Sequence, residues 1–112
     1  NSEWGSANPT KSTAMKRADN YAAGFLRAGA KAVFAEAISS VAYTVRSLFR
    51  STRSMNSIFT NHPAASGARD FYFNSVRTDW ARAHLDPPRI GKYWRSLVGN
   101  FYLTSTQWRA GG

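Results

Sequence analysis

The sequence contains no cysteine, and this absence removes several kinds of chemistry at once. Disulfide bonds, thiolate zinc sites, iron–sulfur clusters and cysteine nucleophiles are all excluded. Acidic residues are also scarce, since 6 Asp and Glu stand against 15 Lys and Arg in 112 residues, for a formal net charge of +9. This charge favours acidic binding partners, and the length is typical of one domain.

Long apolar segments are absent as well. The longest uncharged apolar run, Ala37 to Val45, is far shorter than the roughly 20 residues that cross a bilayer. We therefore expect no transmembrane span, while peripheral contact with a membrane surface stays open. The chain starts at Asn1 rather than Met, which leaves two alternatives, a removed leader or a trimmed chain.

Residues suited to catalysis are few. His62 precedes a proline, and His84 is expected to end a helix, where the helix dipole explains its presence. The carboxylates are scattered along the chain: Glu3, Asp19, Glu36, Asp70, Asp79 and Asp86. No glycine loop carries the Lys-Ser/Thr pair that a phosphate-binding loop needs. We expect no enzymatic activity, no cofactor and no metal site.

The strongest periodic pattern runs from Ser12 to about Arg50. At 100° per residue, half of the helical cylinder holds its larger apolar side chains, which are Val33, Phe34, Ile38, Val41, Val45, Leu48 and Phe49. This pattern predicts one long amphipathic helix. Gly24 and Gly29 lie in its first half and leave two alternatives: a break in the helix, or close approach of a second helix.

Two shorter helices are predicted after a loop that covers Ser51 to Gly67. The first runs from Ala68 to His84, and the second from about Pro88 to Val98, with Asp86 as its N-cap. The segment from Phe101 to Trp108 reads as a short strand or an extended arm. One strand alone builds no sheet, so the predicted fold class is all-α.

The predicted organisation has three parts. Residues 1–11 form an extended arm, residues 12–100 form a single helical domain, and residues 101–112 form an extended C-terminal tail.

Arginine outnumbers lysine 11 to 4, which suits fixed contacts with carboxylates or phosphates. No acidic residue occurs between Glu36 and Asp70, where three arginines at i, i+4 and i+7 would form one basic ridge on a continued helix. Arginine beside aromatic residues is typical of protein interfaces and of single-stranded nucleic-acid binders alike. The predicted partner-binding residues, for protein or nucleic acid, are Trp4, Arg46, Arg50, Arg53, Arg89, Lys92, Arg95, Trp108 and Arg109.

These features favour a non-catalytic structural or accessory subunit of a large multi-subunit assembly. Composition favours a mitochondrial respiratory or ATP synthase complex, with the chain on the matrix side or peripheral to the inner membrane. Its partners would be other protein subunits. The alternative is a basic nucleic-acid-binding structural protein, such as a virion protein or a ribonucleoprotein component.

Overall fold

A computed structural model of the chain describes residues 10–35, 41–87, 93 and 95–111. The fold in this part is α/β, so the all-α prediction is wrong. The described residues contain one antiparallel sheet in the order β1-β4-β3-β2 and four helices. In chain order, the elements are α1 (Lys11–Arg27), β1 (Ala32–Ala35), α2 (Val41–Arg50), α3 (Met55–Thr60), β2 (Phe71–Asn74), β3 (Arg82–Leu85), β4 (Ser96–Gly99) and α4 (Ser105–Arg109).

The single long helix predicted from Ser12 to Arg50 is wrong, because the chain turns away from α1 at a glycine. Thr10 caps the start of α1 by accepting a hydrogen bond from the backbone N–H of Thr13. After Arg27 the chain reaches Gly29, whose φ is 113°. Glycine adopts this backbone conformation readily, whereas it is strained for other residues. Of the two alternatives, the break is therefore observed, and β1 and α2 follow it.

The helix predicted from Ala68 to His84 is also wrong. This stretch forms β2 and β3, which pair antiparallel with Phe71 opposite Leu85 and Asn74 opposite Arg82. The described end of the predicted third helix is β4, while residues 88–92 and 94 lie outside the described residues. Each strand is only four residues long, too short for sequence periodicity to separate a buried strand from a helical turn.

The sheet is covered on both faces. Helix α1 buries an alanine stripe that ends in Leu26 against Ala83, Leu85 and Val98. On the opposite face, Leu97 packs with residues from α3 and from the chain after β4: Met55, Phe59, Phe101 and Leu103. The small side chains of α1 therefore bring its backbone close to the strands.

A glycine is required at position 99, where the end of β4 pairs with the start of β1. It pairs with Ala32 on one side and with Arg82 on the other. Its φ is 143°, and a Cβ atom at this position would lie 2.5 Å from the Ala32 Cα and 2.5 Å from the Lys31 carbonyl oxygen. Both obstacles are backbone atoms, so no rotamer change relieves the contact.

The C-terminal segment is folded rather than extended, which corrects the predicted C-terminal arm. Phe101 and Leu103 are buried, and α4 begins with a capping box in which Thr104 and Gln107 exchange hydrogen bonds. The expected N-terminal arm falls almost wholly on residues 1–9, outside the described part. In the described ranges, no helix combines the length and the apolar character that crossing a bilayer requires.

Candidate functional site

Helix α2 carries its apolar side chains on its exposed face. Val41, Val45 and Phe49 recur every four residues and are 44%, 46% and 60% exposed, whereas Thr44 and Ser47 on the opposite face are buried. A surface helix normally does the reverse, with its apolar stripe toward the core. The described residues therefore leave an apolar stripe of this helix facing solvent.

Helix α4 extends this stripe and fixes its position. The Trp108 ring contacts the Phe49 ring edge-on, with centroids 5.4 Å apart, and Trp108 is itself 37% exposed. The Arg109 guanidinium donates hydrogen bonds to the carbonyl oxygens of Leu48 at 2.6 Å and Ser51 at 2.9 Å. These contacts cap the C-terminal end of α2, where carbonyl groups otherwise lack helical partners.

A second set of hydrogen bonds fixes the start of α4. Ser105 is buried, and its backbone N–H donates to the Arg53 carbonyl oxygen at 2.7 Å. The Ser105 hydroxyl donates to the same oxygen at 3.1 Å. Hydrogen bonds from Ser105 and Arg109 to backbone carbonyl groups therefore hold α4 against α2, in addition to the ring contact between Trp108 and Phe49.

Arginine side chains border the apolar stripe. Arg46 and Arg50 are exposed on α2, and Arg53 is exposed just beyond it. The helix ends at Arg50, so the predicted ridge of three arginines on one continuous helix is interrupted before Arg53. We call the set Val41, Val45, Phe49, Trp108, Arg46 and Arg50 the α2 surface.

Of the other predicted partner-binding residues that the structure describes, Arg95 does not lie on this surface. Arg95 is buried, where it donates to a carboxylate oxygen of Asp86 at 2.8 Å and to the Phe59 carbonyl oxygen at 2.8 Å. Its guanidinium also lies 4.0 Å from the centroid of the Phe59 ring. Arg95 therefore serves the fold. Trp4, Arg89 and Lys92 lie outside the described residues.

Asp86 is the centre of a buried polar cluster, whereas the helix start that it was predicted to cap lies outside the described residues. Besides Arg95, its carboxylate accepts hydrogen bonds from the backbone N–H groups of Ser66 and Gly67, each at 2.9 Å. This carboxylate ties the loop before β2 to the end of β3.

A second buried carboxylate holds the turn between β2 and β3 against α1. Asp19 accepts hydrogen bonds from the Ser75 hydroxyl and from the backbone N–H groups of Val76 and Arg77, the latter two at 2.8 and 3.1 Å. Local sequence does not predict that either aspartate anchors these loops, because the hydrogen-bond partners are 56 to 58 residues away for Asp19 and up to 20 residues away for Asp86.

His84 lies in β3, not at a helix end, and its ring joins two distant polar side chains. Its Nδ1 lies 2.8 Å from the Asn56 Oδ1, and its Nε2 lies 2.8 Å from an Asp70 carboxylate oxygen. Burial lowers the pKa of His84 below 6.5, and Arg95 acts in the same direction. Asp70 and Asp86 raise this pKa but do not offset the burial.

Aromatic rings enclose His84. The Tyr72 ring stacks on it with centroids 4.0 Å apart, and the Phe59 ring lies 4.7 Å away. The residue is 1% exposed, so a substrate has no route to the imidazole in this arrangement. The cluster resembles an acid–base dyad in composition, but its geometry is that of a buried brace between α3 and the sheet.

His62, the other histidine, is also buried. Its Nδ1 accepts a hydrogen bond from the backbone N–H of Ala64 at 2.9 Å, and its ring contacts Tyr43 edge-on. Among the described residues, no group of three or more His, Cys, Asp or Glu side chains is placed to hold a metal ion. Comparison with known proteins adds no assignment, since no family model, no curated protein and no solved structure matches this chain.

Proposed function

We propose that this chain is a non-catalytic component of a larger protein assembly and that it binds a protein partner through the α2 surface. The observation that carries the proposal is the outward stripe of Val41, Val45 and Phe49, continued by Trp108. Contiguous apolar side chains exposed beside charged ones are typical of protein interaction sites. Trp, Phe and Arg are also enriched in such interfaces.

The charges at this surface favour an acidic partner. Arg46 and Arg50 flank the apolar stripe, and the sequence has no acidic residue between Glu36 and Asp70 to balance them. A second copy of this surface would bring arginines against arginines, which is unfavourable. An apolar protein surface bordered by carboxylates would bury the stripe and pair with both guanidinium groups. We therefore infer an acidic, amphipathic protein surface as the occupant.

The buried polar groups support a non-catalytic role. Asp19, His84 and Asp86 are buried and are joined to loops, helices or strands by short hydrogen bonds, although Asp70, the partner of His84, is 27% exposed. Each therefore has a structural task that accounts for it. A respiratory or ATP synthase complex of the mitochondrion remains the assembly that we propose from composition, and a virion or ribonucleoprotein remains its alternative.

The test uses a fluorescent amphipathic peptide with leucines on one helical face and glutamates beside them. We expect saturable binding in anisotropy titrations. The double change Val45→Ser with Phe49→Ser should lower affinity at least about tenfold, because each buried apolar side chain contributes on the order of 1–3 kcal/mol. Tyr102→Ser is the matched control, since Tyr102 is 82% exposed but is not part of the α2 surface, and its loss should leave peptide affinity unchanged.

A charge-reversed pair tests the arginines. Arg46→Glu with Arg50→Glu should weaken peptide binding, whereas Arg27→Glu with Lys31→Glu removes the same charge elsewhere and should not. Equal losses from the two pairs would show that only net charge matters, and would contradict the proposal. The chain could instead bind a single-stranded oligonucleotide more tightly than the peptide. If Arg46→Glu with Arg50→Glu abolished that binding, the partner of the α2 surface would be nucleic acid rather than protein.

A further inference from the structure

A second surface, separate from the α2 surface, forms a groove along α1. Three cavities adjoin there. The first, of about 430 Å³, is lined by Met15, Lys16, Phe73, Val76 and Arg77 among others. It shares Val76 and Arg77 with a cavity of about 290 Å³. We call these cavities, together with the third described next, the α1 groove.

The third cavity, of about 330 Å³, continues the groove past the end of α1. It shares Leu26 and Trp80 with the middle cavity and is also lined by Lys31 and Asn100. The groove therefore follows α1 from Lys16 beyond Arg27, an axial distance of about 16 Å between these two residues. An elongated groove of this kind fits a chain molecule better than a compact ligand.

The lining of the α1 groove is basic. Lys16, Arg27, Lys31 and Arg77 all line it and are all exposed. Asp19 also lines the first cavity, but its carboxylate is buried and already accepts hydrogen bonds from the turn between β2 and β3. Asp79, which is exposed, lines the middle cavity as well. The groove thus presents four cations and one exposed carboxylate to a ligand.

An aromatic side chain stands among these cations. Trp80 is 52% exposed and forms part of the wall of two of the three cavities, so open space adjoins its indole ring. An exposed indole next to arginine and lysine side chains is a stacking surface for a planar base, with phosphates held by the cations. An acidic peptide would use the cations but would leave the indole without a stacking partner.

We propose that the α1 groove binds single-stranded nucleic acid. The phosphates follow Lys16, Arg77, Arg27 and Lys31, and one base stacks on Trp80. The α2 surface contributes no residue to this groove, so the proposal stands independently of the protein-docking function.

The test measures binding of fluorescein-labelled oligo(dT) of 12 nucleotides to the whole chain by anisotropy, over a series of NaCl concentrations. Trp80→Ala should lower affinity roughly 5- to 150-fold, which is the loss of one stacked base, and Trp80→Phe should recover part of it. Trp108→Ala, which removes an exposed tryptophan of the α2 surface, is the matched control and should leave the affinity for the oligonucleotide unchanged.

The salt dependence tests the cations separately. Each phosphate contact adds about 0.7 to the slope of log affinity against log salt, so Arg27→Gln with Arg77→Gln should reduce that slope by about 1.4. Arg46→Gln with Arg50→Gln is the control for net charge and should leave the slope unchanged. An unchanged affinity for Trp80→Ala, equal losses from the two arginine pairs, or displacement of the oligonucleotide by polyglutamate at matched charge concentration would each overturn the proposal. Circular dichroism confirms that every variant is folded.

Discussion

Removing the Asp86 carboxylate is the perturbation whose energetic effect the structure defines best. Asp86→Ala would leave the Arg95 guanidinium buried, 4% exposed, without its ion-pair partner. It would also leave the backbone N–H groups of Ser66 and Gly67 without the oxygens that accept their hydrogen bonds. The loss of the carboxylate from a buried guanidinium is the dominant effect, because water does not reach this group.

The expected magnitude follows from that arrangement. Breaking one partner of a buried ion pair costs about 3–5 kcal/mol of folding free energy. In a domain of this size, that loss lowers the midpoint of thermal unfolding by roughly 15–30 °C. Asp86→Asn keeps an acceptor oxygen and should fall between the wild type and Asp86→Ala. Replacing both partners, as Asp86→Leu with Arg95→Met, should cost less than Asp86→Ala alone.

Thermal and urea unfolding followed by far-ultraviolet circular dichroism provide the measurement. Asp79→Ala is the matched control, since Asp79 is an exposed aspartate of the turn before β3 and its loss should change stability by no more than about 0.5 kcal/mol. A loss below about 1 kcal/mol for Asp86→Ala would refute the reasoning, because it would mean that Arg95 reaches water or another anion in the folded chain.

The remaining predictions concern two glycines and one histidine. Gly99→Ala should destabilise the chain by at least about 3 kcal/mol in urea unfolding, because the new Cβ atom meets the backbone of Ala32 and φ is positive. Gly24→Ala, inside α1 with no atom within 4 Å of the new Cβ, should instead stabilise by about 0.5–1 kcal/mol. Because the pKa of His84 is lowered in the folded state, the unfolded chain binds more protons as the pH drops below 6.5. The stability of the fold should therefore decrease below pH 6.5 and become constant below the folded-state pKa. Proton NMR titration should give His84 a pKa below 6.5, and His84→Gln should flatten this part of the stability profile; a pKa at or above 6.5 would contradict the burial argument.

Helices α1 and α2 were easier to predict from the sequence than the sheet, for a physical reason. The short helices α3 and α4 lie in the predicted loop and the predicted extended tail. The helical pattern at Val41–Arg50 is strong. The strands Ala32–Ala35 and Ser96–Gly99 contain adjacent apolar residues, because α1 covers one face of the sheet and α3 the other. A strand covered on both faces loses the alternation that identifies strands in a sequence.

Some features of the candidate sites could also be predicted from the sequence, whereas others depend on the fold. Spacing alone predicted that Arg46 and Arg50 lie on one helix, as they do, while their role in binding stays a prediction. The positions of Val45 and Phe49 were also visible in the pattern, but their outward orientation depends on how α4 packs against α2, which only the folded chain reveals. Asn56 and His84 are 28 residues apart and meet where α3 packs on the sheet, so local sequence carried no signal for that cluster.

The most direct test of the central claim maps where a protein-like partner binds. Amide chemical shifts of the isotope-labelled chain would be followed by NMR during titration with the acidic amphipathic peptide. The account predicts that the largest shifts cluster at residues 41–50 and 105–109, and that Val45→Ser with Phe49→Ser suppresses them. Shifts concentrated elsewhere, or an unchanged response in that double variant, would contradict a docking role for helix α2.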